Sequence, residues 1–200
     1  PIFIQYLIFA RNAFTGDFGD SYRWQMPAME LVIGRFPATI QLAVAAMFFS
    51  VVLSFVVGVV SAVKRDSWFD NFGKIFAMLG QAMPGFWLGL LMILFFSVQL
   101  HWLPTHGMGS PRHLIMPAIC LGWYSVAAQT RMIRSQMLDI LDSEYIKMGR
   151  IVGTPNNLLI VKYALKNALI PVITMQGVYF AGMLGGSVII ETIFAWPGVG

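Results

Sequence analysis

The residues of this chain that could do chemistry are few, and most of them cluster. Between residues 144 and 171 the sequence reads EYIKMGRIVGTPNNLLIVKYALKNALIP, with Lys147, Arg150, Lys162 and Lys166 set among apolar residues around Gly153-Thr154-Pro155. Neither that string nor the rest of the chain has the pattern of a catalytic centre. There is no G-x-x-x-x-G-K-[ST] loop to cradle phosphates, no H-E-x-x-H to hold zinc and no G-x-S-x-G elbow to present a nucleophile. Gly107-Met108-Gly109-Ser110 contains a serine, but without the elbow spacing. His101, His106 and His113 lie far apart without carboxylate partners, which speaks against a metal site. Cys120 is the only cysteine and sits in an apolar run, so no intrachain disulfide or thiolate cluster is available. The chemistry on offer is recognition: basic and apolar side chains spaced to meet a surface.

The elements that must position that string are written in the composition. The 200 residues are 58% hydrophobic and 11% charged, against about 25% charged in soluble domains. So apolar a chain is predicted to be an all-α integral membrane protein, a polytopic helical bundle. Four uncharged runs predict spans near 38–63, 75–98, 114–133 and 168–192. The third is short, and Arg131 and Arg134 are placed to snorkel at its end.

The basic residues fall between the runs. Lys64, Arg65 and Lys74 follow the first, while Arg131, Arg134, Lys147, Arg150, Lys162 and Lys166 follow the third. The positive-inside rule puts 64–74 and 131–167 in the cytoplasm, with 1–36, 99–113 and 193–200 outside. Six Lys and Arg residues, each costing about 2.5–3.5 kcal/mol at mid-bilayer, exclude 131–166 from the membrane. The net charge of +4 is thus a topology signal, and nucleic acid is not expected as a partner. Trp24, Trp102 and Trp196 are expected at the membrane interfaces. The chain opens at Pro1 and stops in a turn-like string, and is expected to be an internal piece of a longer protein.

Within the basic segment, one helix is predicted from about Gln136 to Val152, acidic early and basic late as its dipole favours. Gly153 is a left-handed C-cap candidate, Thr154 an N-cap and Pro155 the first residue of a second helix. Tyr145, Met148, Ile151 and Val152 fall at helical spacing. Two readings remain open at this level. The segment lies on anionic lipid as an interfacial helix, or it is a knob fitting a groove on a cytosolic partner.

The string resembles the cytoplasmic coupling loop, the EAA loop, of ABC-importer permeases, specifically those of the dipeptide/oligopeptide/nickel family. Glu144-Tyr145-Ile146-Lys147-Met148-Gly149-Arg150 and Ala164-Leu165-Lys166-Asn167-Ala168-Leu169-Ile170-Pro171-Val172 carry the likeness. Four further strings follow the same family in order: Gly16-Asp17-Phe18-Gly19 with Ser21 and Arg23; Arg35-Phe36-Pro37-Ala38-Thr39; Met83-Pro84-Gly85-Phe86-Trp87-Leu88-Gly89; and Glu191-Thr192-Ile193-Phe194 with Pro197-Gly198-Val199-Gly200. The chain departs from the family's pattern at Gly149, where alanine is usual, and in lacking the I-x-L-P ending of the loop.

The resemblance implies a type I importer permease, of which this piece holds the second to fifth of six spans. Residues 1–36 would be an outer segment and 37–200 the transmembrane domain, with a coupling loop at 134–167. It implies import of di- or oligopeptides, with nickel, glutathione or another small solute as alternative cargo. From a different class, a membrane scaffold or channel without an ATPase stands as the rival. Glu144, Tyr145, Lys147, Met148, Gly149, Arg150, Gly153, Thr154 and Pro155 would meet a cytosolic ATPase. The chain itself would be non-catalytic and hold no cofactor, ATP and Mg²⁺ residing on that partner. A second homologous permease, an external solute-binding protein and the inner-membrane bilayer complete the implied partners. Gln81, Met83, Gln176, Tyr179, Met183 and Ser187 are soft or polar residues within spans and candidates for lining a translocation path. Gly182, Gly185 and Gly186 are expected to allow close helix packing, and Pro84 and Pro171 to bend their helices. Glu191, at the outer end of its span, is open between an interface partner and a gating role.

Overall fold

Helix formation follows the apolar runs and overshoots their edges. The computed structural model describes residues 1–22 and 24–200, and at Gly186 the backbone alone. Arg23, which follows the string at 16–19, and the packing expected at Gly186 lie outside the described residues. Eight α-helices occur among the described residues: α1 (Ile2–Phe14), α2 (Ala28–Val63), α3 (Trp68–Ala82), α4 (Gly85–Met92), α5 (Pro111–Leu141), α6 (Glu144–Ile151), α7 (Asn156–Leu158) and α8 (Lys166–Ile193). Two π-helical stretches, Ile93–Gln99 and Leu159–Leu165, extend α4 and join α7 to α8. The one β feature described is an isolated bridge between Asp20 and Pro27.

Helices α2 and α8, the latter with α7 and the π-helical stretch before it, are long and apolar enough to cross a membrane; α3 and α4 together would make a third crossing. The predicted span 75–98 is not one straight helix. The chain turns by 103° between α3 and α4, at Met83-Pro84, because the proline ring disfavours helical backbone at the residue before it. Pro171, also expected to bend its helix, lies inside the continuous α8.

The first span begins ten residues earlier than hydropathy placed it. Once a helix is nucleated, each further residue adds a hydrogen bond, so Glu30 and Arg35 are carried within α2. For the same reason α5 runs on through Arg131 and Arg134 to Leu141. The helix predicted over 136–152 is therefore split. Asp142 and Ser143 interrupt it, and α6 starts afresh at Glu144 with Ser143 extended before it.

α5 is the central post, with its longest interface along α2 and others against α3, α4 and α8. Close crossings are made at glycines other than those expected. A Cβ on Gly122 would come within 2.7 Å of the Ala46 carbonyl oxygen, and one on Gly58 within 2.9 Å of Ile133. Gly80 approaches Ala127 in the same way, and Gly73 approaches Ser61. Gly182 and Gly185, by contrast, have nothing within 4 Å of a built Cβ, so they do not serve helix packing inside this chain.

Contacts divide the bundle into two ends. The α2–α3 turn meets the end of α5 through Arg65–Asp142 and Asp70–Arg134, which makes a basic end. The start of α2 meets the end of α8 through Thr39–Glu191, which makes the opposite end.

Candidate functional site

At the basic end, α6 is mounted on the bundle by one face and presents the other. Ile146 is fully buried, and Gly149 lets α6 close on Leu159, since a Cβ there would lie 2.7 Å from Leu159 Cδ2. Asn167 Nδ2 donates to Tyr145 Oη (3.3 Å) and to the Tyr163 carbonyl (2.9 Å), tying α6 to the start of α8. The helix ends in a Schellman arrangement: Gly153 N–H donates to Arg150 O (3.1 Å) and Thr154 N–H to Gly149 O (2.9 Å), with Gly153 at φ +84°. That is the left-handed cap expected of a glycine. Thr154 does not act as a side-chain N-cap. Pro155 takes the flanking position with extended ψ, and helix resumes at Asn156.

The face opposite Ile146 is open. Met148, Ile151 and Val152 are 61%, 79% and 78% exposed, and Tyr145 is close to half exposed. Basic side chains rim this apolar face. Lys147 pairs with Glu144 at 2.8 Å, and the Glu144 carboxylate raises the Lys147 pKa. The expected contact residues thus converge on one short helix and the turn after it.

In the middle of the bundle, polar side chains pair across helices. Gln129 of α5 and Gln176 of α8 exchange amide hydrogen bonds, and Ser54 of α2 donates to Gln129 Oε1 at 3.1 Å. Gln129 also donates to Ser125. Gln176 is therefore a helix–helix contact, satisfied as a buried amide must be. Gln129 drew no notice in the sequence, because nothing in spacing along one helix reveals a partner on another.

Beside this network lies a cavity of about 580 Å³ between the α3–α4 bend, α5 and α8. Tyr179 and Met183 line it, joined by Pro84, Phe86, Tyr124 and Ser125. The other path candidates stand apart from it. Gln81 is half-buried in the last turn of α3, Met83 sits at the bend, and Ser187 donates to Leu184 O at 3.3 Å within α8.

At the opposite end three of the sequence strings meet. Glu191 is 1% exposed; its carboxylate accepts from Thr39 Oγ1 (2.7 Å) and from Gly200 N–H (2.7 Å). Thr39 Oγ1 in turn accepts from Val199 N–H at 2.9 Å. Gly89 admits the Phe194 ring, whose Cε2 would lie 3.3 Å from a Cβ there. Trp196, expected at a lipid interface, is instead 5% exposed and donates from Nε1 to Ala38 O at 2.8 Å. Residues 194–200 fold back over the start of α2, and this closure accounts for the burial of Glu191.

In the loop before α5, Ser110 N–H donates to His113 Nδ1 at 3.3 Å, and His106 pairs with Thr105. No group of His, Cys, Asp or Glu able to hold a metal occurs among the described residues.

Bundle, cavity and presented helix define a multi-pass, all-α membrane protein of transporter-permease type. Residues 54–200 match the family model of the binding-protein-dependent transport system inner membrane component, and the chain belongs to that family. It is 38% identical to the dipeptide transport system permease protein DppB of Alkalihalophilus pseudofirmus, over all of this chain and 68% of that protein. It is 37% and 36% identical to the glutathione transport system permease protein GsiC of Escherichia coli K12 and of Salmonella typhimurium, over all of this chain and 65% of each. The chain thus spans about two thirds of the length of these relatives. A crystal structure of an amino acid ABC transporter with histidines matches 85% of this chain and 74% of its own, with a TM-score of 0.65 at 17% identity. That likeness concerns the fold.

Proposed function

We propose that this chain is part of the permease subunit of an ATP-driven, binding-protein-dependent importer, and that its cargo is a di- or oligopeptide. The observation that carries the proposal is the presented apolar face of α6, held rigidly by Ile146, Leu159 and the Tyr145–Asn167 tie and closed off by the Gly153 cap. A helix on lipid needs no such mount; a lever does. In this reading α6 docks in a groove of a cytosolic ATP-binding subunit by anchors at helical spacing. Glu144, Tyr145, Lys147, Met148, Gly149, Arg150, Gly153, Thr154 and Pro155 form the contact. ATP and Mg²⁺ reside on that subunit, and this chain is non-catalytic. Residues 64–74 and 134–167 face the cytoplasm, with the bundle in the inner membrane as four crossings. A second, homologous permease completes the pathway, and an external binding protein delivers cargo. Tyr179 and Met183, at the cavity, are the strongest of the path candidates.

The GsiC relatives favour glutathione as a second cargo, itself a small peptide-like solute. The test is cysteine substitution at 147–157 in the full-length permease, paired with cysteines on the candidate ATPase. ATP-dependent cross-links are expected. Reaction only with lipid-phase probes, or no ATPase in a mild detergent pull-down, overturns the reading. Gly153→Val, which forces a β-branched residue into a left-handed backbone, is expected to abolish uptake while the protein still inserts. Uptake at the wild-type rate removes Gly153 from the mechanism.

A further inference from the structure

Asp70, near the start of α3, is fully buried, and both of its carboxylate oxygens are engaged. Oδ1 accepts from Arg134 Nε at 2.6 Å, and Oδ2 accepts from Arg134 Nη2 at 2.8 Å. Lys74 Nζ lies 3.0 Å from Oδ2, and the Asp66 N–H donates to it at 3.0 Å. The Arg134 guanidinium, hydrogen-bonded to both oxygens, holds this carboxyl well below the usual carboxylate range. A bidentate fork fixes orientation as well as distance.

A second tie lies further along α5. Arg65 Nη1 donates to Asp142 Oδ2 at 3.0 Å, at the break from which α6 departs. Arg134 and Asp142 are eight residues apart, about 12 Å of helix. The exposed second tie adds only a weak restraint, so the buried fork is what holds the start of α3 on α5. Above the bridge α3 stays against α5, with the Phe76 and Trp123 rings edge to face at 5.0 Å and Gly80 close on Ala127. α3 then ends at the bend whose Pro84 and Phe86 line the cavity.

We infer that Asp70 and Arg134 are positioning residues for transport: their buried fork makes α3 travel with α5 and α6, so that a displacement of α6 reaches the Pro84 bend on the cavity wall. The inference rests on the importer reading above.

The experiment uses the complete transporter in proteoliposomes, with binding protein, both permeases and ATPases, scored for uptake of tritiated glycylleucine and for ATP hydrolysis. Asp70→Asn is expected to lower uptake per ATP hydrolysed about tenfold. Arg134→Lys, which keeps charge and loses the fork, should fall in between. The double variant D70L/R134M replaces the buried pair by apolar side chains, an exchange that folds tolerate, and should remain assembled yet uncoupled. Uptake per ATP within about twofold of wild type in the assembled double variant overturns the inference and leaves the bridge a purely structural tie.

A second measurement needs no disruptive variant. Spin labels at the exposed Asn71 and Ser135 should keep one separation with and without ATP; a separation that changes overturns the inference. A wild-type complex that binds no ATPase and transports neither glycylleucine nor glutathione would instead sink the importer reading.

Discussion

The two ends of the bundle solve one problem with different chemistry. Each must hold the end of α2 to a helix far along the chain. The basic end does so with long side chains and full charges, Asp70–Arg134–Lys74 and Arg65–Asp142. The opposite end uses one buried carboxylate, a hydroxyl and backbone N–H groups, closed over by Phe194 and Trp196. A buried bidentate fork fixes orientation as well as distance, so the helices that share it shift together. A carboxylate met by the Gly200 N–H and the Thr39 hydroxyl, each at 2.7 Å, instead pins the chain end itself to the start of α2. The basic end is therefore built to move as a unit, and the opposite end to keep one shape.

That contrast can be broken at either end. Asp70→Ala should have the largest effect, destabilising the fold by about 3–5 kcal/mol by leaving Arg134 half-buried without a partner; unfolding of the full-length protein in detergent measures it. Gly198→Ala comes next. A Cβ there would lie 2.2 Å from Glu191 Cδ, and overpacking of this kind costs about 1–3 kcal/mol. Faster amide exchange over 194–200, with 64–74 unchanged, is the expected signature. Glu191→Gln should cost about 1–2 kcal/mol, because a side-chain NH₂ turned toward Gly200 leaves a donor facing a donor; exchange over the same segment reports it. Arg65→Ala removes a pair exposed on both sides and should cost under about 1 kcal/mol.

Acid is expected to do least. The Asp70 carboxyl is lowered in the folded state, so its contribution is complete above the unfolded value of about 3.9. It is lost only as pH falls further, toward the folded value. Melting curves between pH 5 and pH 8, a range well above about 3.9, should show no transition assignable to this bridge.

Some of these features are legible in the sequence and others are hidden from it, for identifiable physical reasons. The Gly153 cap was legible because a glycine between two helical patterns, followed by proline, has few other uses. The grouping of 64–74 with 131–167 followed from charge alone, and the Arg65–Asp142 and Asp70–Arg134 contacts join those segments. Helix limits were less legible. Hydropathy reports the cost of transfer into lipid, whereas α2 and α5 continue as long as hydrogen bonds can be added. Packing glycines were illegible in principle. Gly182 and Gly185 look like Gly80 and Gly122 in sequence, and only the neighbour across the contact tells them apart. Glu191 and Thr39 stood in two separate strings, and 152 residues of chain hid that they touch. Of the path candidates, Gln176 turned out to face Gln129, a residue with no local signal of its own.

The bend at Met83-Pro84 has a mechanical consequence. Met83 N–H is already spent on Leu79 O at 3.0 Å, and Pro84 has no N–H to give. On the far side, Trp87 and Leu88 both draw on the Pro84 carbonyl at 3.1 Å, so α4 begins with its own complete first turn. Among the described residues no backbone hydrogen bond spans the joint itself. Changing the angle between α3 and α4 therefore rotates two dihedrals and breaks no backbone hydrogen bond, so this corner of the cavity wall can act as a hinge wherever the packing beside it yields.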